Sequence, residues 1–392
     1  MVEIADHTKV LIREFSEDTD IEVVGKLERD CEIESKKGVS IFTSMMGDPF
    51  CRIRFYPLHV MLVAELLENG ELVGVVRGCI KHVGTGSGAR YVIGCILGLR
   101  VSPIHRRMGI GLKLMKSVEE WLLRKGAQYT FLATEESNTA STNLFTYKCN
   151  YRKLSSLIIF VQPVCSAAED PMPRDIKIEK LHVDEAIFLY KSRLRSKDIY
   201  PTDIDVILKE KLSLGTWVFY FEDQGWINLN SEESSKDTAG ETQSSWIIFS
   251  IWNTCEAYKS HPLRSLHAIA TLSHATEKFF SCLNLPVSVS LQSSFGFLLL
   301  YGLHGEGDKV GELMKSVWNF ASRLGQTVKD SKLILTELGL CDPLIKHVPK
   351  DSDMSCIEDV WYGKSLINHA DDKDELLVQG SLGNVFVDPR EF

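Results

Sequence analysis

The chain has 392 residues, 44% of them apolar and 25% charged, with a formal net charge of −9. That is enough apolar material for two or three packed domains, and the acidic balance argues against direct nucleic-acid binding through bulk charge. No apolar run approaches the roughly 20 residues that span a bilayer, and the opening stretch lacks a secretory signal, so the expected home is the nucleus or the cytoplasm, neither secreted nor membrane-bound.

Residues 8–163 read as alternating strands and helices. A strand ends near Phe15, Ser16-Glu17-Asp18 forms a polar cap, and Ile21, Val24 and Leu27 follow at helical spacing. Asn69-Gly70 between two strand-like runs marks a hairpin. A long apolar strand from Arg90 is stopped by Pro103. The next helix is predicted over 112–125, apolar at Leu112, Leu114, Met115, Val118, Trp121 and Leu122 and closed by Gly126. Tyr129–Glu135 reads as a strand, 137–150 as a helix capped by Ser137 or Asn138, and 154–164 as a closing strand. Cys165 to Asp175 is Pro-rich and polar, as linkers are. Beyond it come strands at 215–221 and 244–253, separated by residues 230–245, which hold almost nothing apolar and are predicted to be a disordered loop.

The two halves share a pattern. LMKSVEEWLLRKG at 114–126 recurs as LMKSVWNFASRLG at 313–325, and each copy is followed by a strand ending in Thr-Glu, at 131–135 and 333–337. Two matches in the same order predict a tandem of related units, divided as 1–164, a linker at 165–175, and 176–392. The ten cysteines form no CxxC pair and no Cys/His cluster, so they read as reduced thiols, mostly core filler, and no metal site is expected.

Between the long strand and helix 112–125 stands Arg106-Arg107-Met108-Gly109-Ile110-Gly111. A helix N-terminus exposes unpaired N–H groups and about half a positive charge. Glycines let the main chain approach an anion, and arginines add donors suited to phosphate oxygens. The turn therefore reads as a pyrophosphate cradle, the alternative being a tight turn with solvated charges. It is neither a Walker loop nor a GxGxxG motif. Before the second copy of the helix, Gly305, Gly307 and Gly311 recur, but Glu306 and Asp308 stand where the first copy has arginines, and acids oppose phosphate.

The Arg-x-x-Gly-x-Gly turn, set between a long strand and a helix and followed by a Thr-Glu strand and a capped helix, resembles the GNAT superfamily of N-acetyltransferases over about residues 8–163. The stretches LGLRVSPIHRRMGIG, IFTSMMGDPFCRIR and FVDPREF look similar to the plant hookless-type acetyltransferase-like proteins. The resemblance implies an α/β fold with a mixed sheet, a GNAT unit followed by a second, degenerate GNAT-like unit without cofactor. It implies acetyl-CoA as co-substrate and an amine acceptor on a protein, such as a histone lysine, or on a small metabolite. It also implies a role in plant growth through ethylene and auxin signalling. The strands carrying Leu99 to Val101 and Phe131 to Glu135 would diverge, with the Val101 amide donating to the thioester carbonyl. Arg106, Arg107, Met108, Gly109, Ile110 and Gly111 would hold the pyrophosphate, and Asn138 would border the cofactor.

Deprotonating a lysine amine at pH 7 costs about 4.6 kcal/mol at roughly 1.36 kcal/mol per pH unit, so a base is needed. Glu135 and Glu136 end the Thr-Glu strand, and on an extended strand only one faces the site. Glu135 is the candidate, the alternative being two solvated carboxylates. Family members often carry an acid tyrosine seven positions after the motif's asparagine. From Asn138 that position is Phe145, and counting back from Tyr151 gives Thr146, while Tyr147 points elsewhere around the helix. Protonation of the leaving thiolate is left without a residue. The other functions in view are a catalytically weak acetyl-CoA-binding regulator and a scaffold. The acceptor and the oligomeric state are not legible in the sequence.

Overall fold

The computed structural model describes residues 9–33, 40–44, 50–164, 172–225, 244–257, 259–263, 295–350, 354–367, 375–377 and 382–392. The first half contains β1 (Val10–Glu14), α1 (Glu17–Ile33), β2 (Ser40–Ser44), β3 (His59–Leu66), β4 (Leu72–Thr85) and β5 (Arg90–Val101). After these come α2 (Ile110–Arg124), β6 (Tyr129–Glu135), α3 (Thr139–Asn143) and β7 (Arg152–Pro163). The second half contains β8 (Ile176–Leu181), α4 (Val183–Arg193), β9 (Ile199–Pro201), α5 (Ile204–Lys209), β10 (Ser213–Phe221) and β11 (Trp246–Asn253). It continues with β12 (Lys259–Leu263), β13 (Gly296–Glu306), α6 (Val310–Thr327), β14 (Ser331–Gly339) and β15 (Ser355–Ser365).

Among the described residues, thirteen strands form one mixed sheet in the order β1-β3-β4-β5-β6-β15-β7-β14-β13-β11-β10-β8, with β9 paired to β4. Neighbours are antiparallel except β5 with β6 and β13 with β14. The order reads the same from either edge: a run of antiparallel strands, one parallel pair, then a closing strand. The closing strands are exchanged. β7, from before the linker, pairs β14, and β15, from near the end of the chain, pairs β6. The two meet at the centre, where β15 pairs β7. The two copies are therefore joined through backbone hydrogen bonds rather than by a linker alone.

Helices α2 and α6 lie on one face, against Leu132, Val360 and Tyr362 in the first half and Phe160, Leu300 and Ile334 in the second. The opposite face is covered by α1, α4, α5 and residues 385–392 of the tail. Helix α2 sits close because β4 offers it glycines: a Cβ at Gly74 would stand 2.8 Å from Leu114 Cδ1, and one at Gly78 2.7 Å from Val118 Cγ2. The tail is clamped by Arg390, whose guanidinium bonds Asp388 at 2.7 and 2.9 Å and Asp203 at 2.8 and 3.1 Å, and lies over the ring of buried Tyr56.

The predicted elements are present with three differences. The second LMKSV helix runs on past Gly325, because there the missing side chain makes room for β7: a Cβ would lie 2.9 Å from Val164 Cγ2. Gly126, by contrast, ends α2 with a φ of 89°. The helix predicted over 137–150 is one α-helical turn that widens into a π-helical one, Leu144–Lys148. Of the predicted loop 230–245, residues 230–243 lie outside the described residues. Ser245 is tied in, its N–H donating to Gln224 Oε1 and its Oγ accepting from the Lys309 N–H. The aromatic residues between α1 and β3 cover the core: Tyr56 is buried and Phe55 meets Trp252 edge-on. Phe42 is described in its backbone only.

Candidate active site

In the first half the parallel pairing of β5 with β6 covers only Ile93–Cys95 against Tyr129–Phe131. Beyond that the strands part. On this stretch of β6 the face opposite α2 is open, and Ala133 and Glu135 are exposed. On β5 the divergence begins at a bulge at Gly98, whose φ is 59° and which leaves room for the buried guanidinium of Arg77, paired to Glu28 at 2.7 Å. The Ser102 N–H bonds the Val73 carbonyl across β4, so by strand alternation the Val101 N–H points away from β4, into the wedge. The Val101 carbonyl, on the same side, accepts from Arg106 Nε at 3.3 Å and from Cys31 Sγ at 3.3 Å. Leu99 is half-buried along the same edge.

The turn from β5 to α2 lies at the mouth of this wedge. Arg107 has φ 68° and Gly109 φ 79°, so left-handed residues alternate with ordinary ones, the arrangement that turns successive N–H groups toward one point. Gly109 is the N-cap of α2, no side chain caps the helix, and a Cβ built on Gly109 would meet open space. Arg106, Arg107, Met108 and Gly109 are exposed, and Ile110 is buried beneath them. Gly111 faces Leu144 and Val101, at 3.4 and 3.7 Å from where its Cβ would be. The chemistry of this donor set fits a phosphate.

Asn138 lies across the wedge as the N-cap of α3, its Oδ1 accepting from the Ser141 N–H at 3.2 Å. Phe145 is buried against Tyr151 and Tyr362, and Tyr147 is 78% exposed. Beside Phe145, Leu144 is also apolar, and the Thr146 hydroxyl is bonded to the Thr142 carbonyl at 2.8 Å.

On the face opposite α2, Glu135 stands exposed at the free end of β6, with Ser137 Oγ 3.4 Å from its Oε2. Asp359 of β15 is directly across from it in register. Burial, and then the Glu135 charge, push the Asp359 carboxyl up to about 6 against the hydrogen bonds it accepts from its own backbone and from Glu337. Glu337, on β14, is buried, and burial followed by the charges of Asp359 and Glu391 holds it well above the usual carboxylate range. Deeper in the wedge Lys81 pairs with Glu391, and Cys95 Sγ lies 3.6 Å from the same carboxyl oxygen. Burial disfavours the Lys81 charge, but Cys95, Glu391 and Asp388 outweigh it and keep the ammonium protonated. Cys95 is buried, as expected of a core thiol. Sequence reasoning missed Asp359 and Glu337. The signal for Glu337 was present, since it occupies in the second Thr-Glu strand the place of Glu135 in the first.

In the second half β13 and β14 also part, after Leu300 and Thr336, again at a bulge glycine, Gly302, with φ 65°. Here the end of β14 is covered: Glu337, Leu338 and Gly339 are buried, and Tyr190 Oη takes at Gly302 the space that Arg77 takes at Gly98, bonding Ser250 at 2.9 Å. The turn into α6 is five residues shorter, counted from the matched Val101 and Gly305 to the matched Leu114 and Leu313. Its Lys309 N–H is met by Ser245 Oγ, and Glu306 is ionised, held low by the His304 hydrogen bond and by Arg193 at 3.0 Å. A carboxylate there excludes an anion.

Residues 29–151 match the Acetyltransferase (GNAT) family. The chain is 35% identical over 406 residues to the probable N-acetyltransferase HLS1 of Arabidopsis thaliana, covering 97% of this chain and all of that protein. The chain is a hookless-type GNAT acetyltransferase. It is also 30% identical, over the full length of both, to the acetyl transferase GW6a of Oryza sativa subsp. japonica. Among solved structures, Saccharomyces cerevisiae N-myristoyltransferase with bound myristoyl-CoA superposes with a TM-score of 0.56 at 11% identity, covering 99% of this chain and 86% of that one, a likeness of fold. As a GNAT acetyltransferase the chain uses an acyl-CoA donor and an amine acceptor. Among the described residues no group of side chains could hold a metal ion, and no helix is long and apolar enough to cross a membrane.

Proposed function

We propose that the chain transfers the acetyl group of acetyl-CoA to an amine of a protein, with a histone lysine as one such acceptor, and that it serves plant growth control as its relatives' hookless-type grouping suggests. The observation that carries the reading is the joint presence of an exposed strand end and a glycine-turned, arginine-bearing helix N-terminus at the first wedge, against a buried strand end and a shorter, acidic turn in the second half. On this reading residues 1–164 form the donor-binding unit, 165–175 a linker, and 176–392 a unit without donor that walls the acceptor side.

The N–H groups of Arg107 to Gly111 bind the pyrophosphate, the Arg106 guanidinium adds charge, and Asn138 orders the facing turn. Leu99 and Val101 receive the pantetheine arm along the free edge of β5, and the Val101 N–H polarises the thioester carbonyl, where charge develops on attack. Acetyl-CoA supplies the activated acetyl thioester. Glu135, exposed at the end of β6, draws the acceptor's ammonium to the wedge.

Incubating the purified full chain with radiolabelled acetyl-CoA and core histones, with spermidine as the small-molecule comparison, tests this. Label on histone lysines supports the protein-acceptor reading. Label on spermidine only moves the acceptor class to metabolites, and bound acetyl-CoA with no transfer to either favours the weak regulatory reading that Phe145, in place of an acid tyrosine, suggests.

A further inference from the structure

The face of the sheet that carries Glu135 holds two more acids, both from the second half, and strand exchange is what brings them there. β15 lies beside β6, which sets Asp359 one strand spacing, about 4.8 Å, from Glu135 on the strand that borders the wedge. β14 lies beyond β7, which sets Glu337 diagonally across from Asp359, and the two carboxyls share a hydrogen bond. Glu337 is 94% buried from its 6% exposure, and its Oε1 has no partner among the described residues. Such an atom is costly to leave in a core unless it serves something other than stability.

We propose that Asp359 accepts the proton of the attacking amine and that Glu337 positions it, so that the second unit completes the active site of the first. This rests on the acetyl-transfer reading above. Three groups compete for the role. Glu135 is exposed, placed to meet the incoming acceptor before it reaches the thioester. Glu391 is engaged by Lys81. Asp359 is partly buried, receives the Glu337 hydrogen bond on one side, and has Glu135, on the strand that borders the wedge, on the other. The groups that act on the pair are Glu135 from β6, the Val360 N–H on its own strand, and Glu391 from the tail, which acts on Glu337. From β7, the register partners of these acids are Leu157 and Ile159, which bring no cation.

The ammonium gives one proton to Asp359, its freed lone pair forms a bond to the thioester carbonyl carbon, and the carbon–sulfur bond breaks with its electrons on sulfur. The proton shed as the amide forms matches the one the thiolate takes up, and Asp359 returns its own to solvent.

The full chain and its Asp359→Asn, Glu337→Leu, Glu337→Gln and Glu135→Gln variants test this, with acetyl-CoA binding by calorimetry and transfer to two probes. Polylysine needs a base, whereas hydroxylamine is already unprotonated at neutral pH. Asp359→Asn should keep acetyl-CoA affinity within about two-fold and hydroxylamine transfer within a few-fold, and lose roughly 10²- to 10⁴-fold in transfer to polylysine. Glu337→Leu should move the rising limb of the polylysine pH profile to higher pH, and Glu337→Gln, whose amide still donates, should restore it. Glu135→Gln should raise the KM for polylysine more than it lowers kcat. Unchanged polylysine transfer by Asp359→Asn, equal loss with both probes, or a wild type that binds acetyl-CoA and acetylates neither probe overturns the assignment. A wild type that does not bind acetyl-CoA overturns the acetyl-transfer reading instead.

Discussion

Asp359 and Glu135 face each other across two adjacent strands, although one comes from the first half of the chain and the other from near its end. Burial raises the Asp359 carboxyl from 3.8 to about 6, with a smaller push from the Glu135 charge. A carboxyl whose folded value lies above its unfolded one binds its proton more tightly in the native state, so stability falls as pH rises between the two values. Asp359→Asn removes this titration. Its melting temperature should match wild type near pH 4 and exceed it above pH 6, by an amount on the order of 1–3 kcal/mol at 1.36 kcal/mol per pH unit. Melting curves at a series of pH values check this, and a constant offset between the two proteins would contradict it.

Helix α2 must lie close to the sheet for its N-terminus to meet the wedge. A Gly78→Val side chain would collide with Val118 and Leu122, overpacking that costs about 1–3 kcal/mol. Because the helix has to lift, acyl-CoA affinity should fall together with stability, although Gly78 lies far from the turn in sequence. Calorimetry and melting on one preparation measure both.

Arg390 joins the tail to the rest of the face through Asp388 and Asp203. Removing one partner from a buried ion cluster leaves the others uncompensated, and Arg390→Leu should cost about 3–5 kcal/mol. Asp388 is held below its usual range by Arg390 despite burial, so in the variant its carboxyl should rise. Denaturant unfolding gives the cost, and carboxyl chemical shifts against pH give the direction.

The glycine turn and the cap that follows it could be read from local chemistry, whereas the parting of the strands came only from the family resemblance. Arg106 to Gly111 is a turn before an amphipathic helix, and Asn138 is a cap before a polar one. The repeat was legible from LMKSV and Thr-Glu. Strand exchange was not, since β15 carries no signal of its partner: whether Ser355–Ser365 pairs β6 or β14 is decided by long-range register, and Asp359 reaches Glu135 only through that choice. The same holds for Gly325, which reads as a helix stop and is instead the place where β7 presses on α6. The second half was half legible: Glu306 and Asp308 marked a turn that opposes phosphate, but the burial of the end of β14 is set by packing from distant parts of the chain.

The contrast between the two wedges also predicts where an anion binds. Gly109 sits at φ 79°, where any other residue is strained by about 1–2 kcal/mol. Gly307, at φ 91°, shares that geometry, but a side chain there would strike Ser245 rather than a ligand. Gly109→Glu should therefore abolish acetyl-CoA binding with a small loss of stability, whereas Gly307→Ala should lower stability and leave affinity unchanged. Paired melting and binding measurements separate the two.

The central claim is that the turn from Arg106 to Gly111 holds an acyl-CoA, and melting of the full chain with and without acetyl-CoA tests it most directly. At 100 times its dissociation constant the ligand should stabilise wild type by about 2.7 kcal/mol, visible as a clear upward shift. Arg106→Glu and Gly109→Glu should melt at the same temperature with or without it. No shift in wild type at millimolar acetyl-CoA, or an equal shift in all three proteins, would contradict the account.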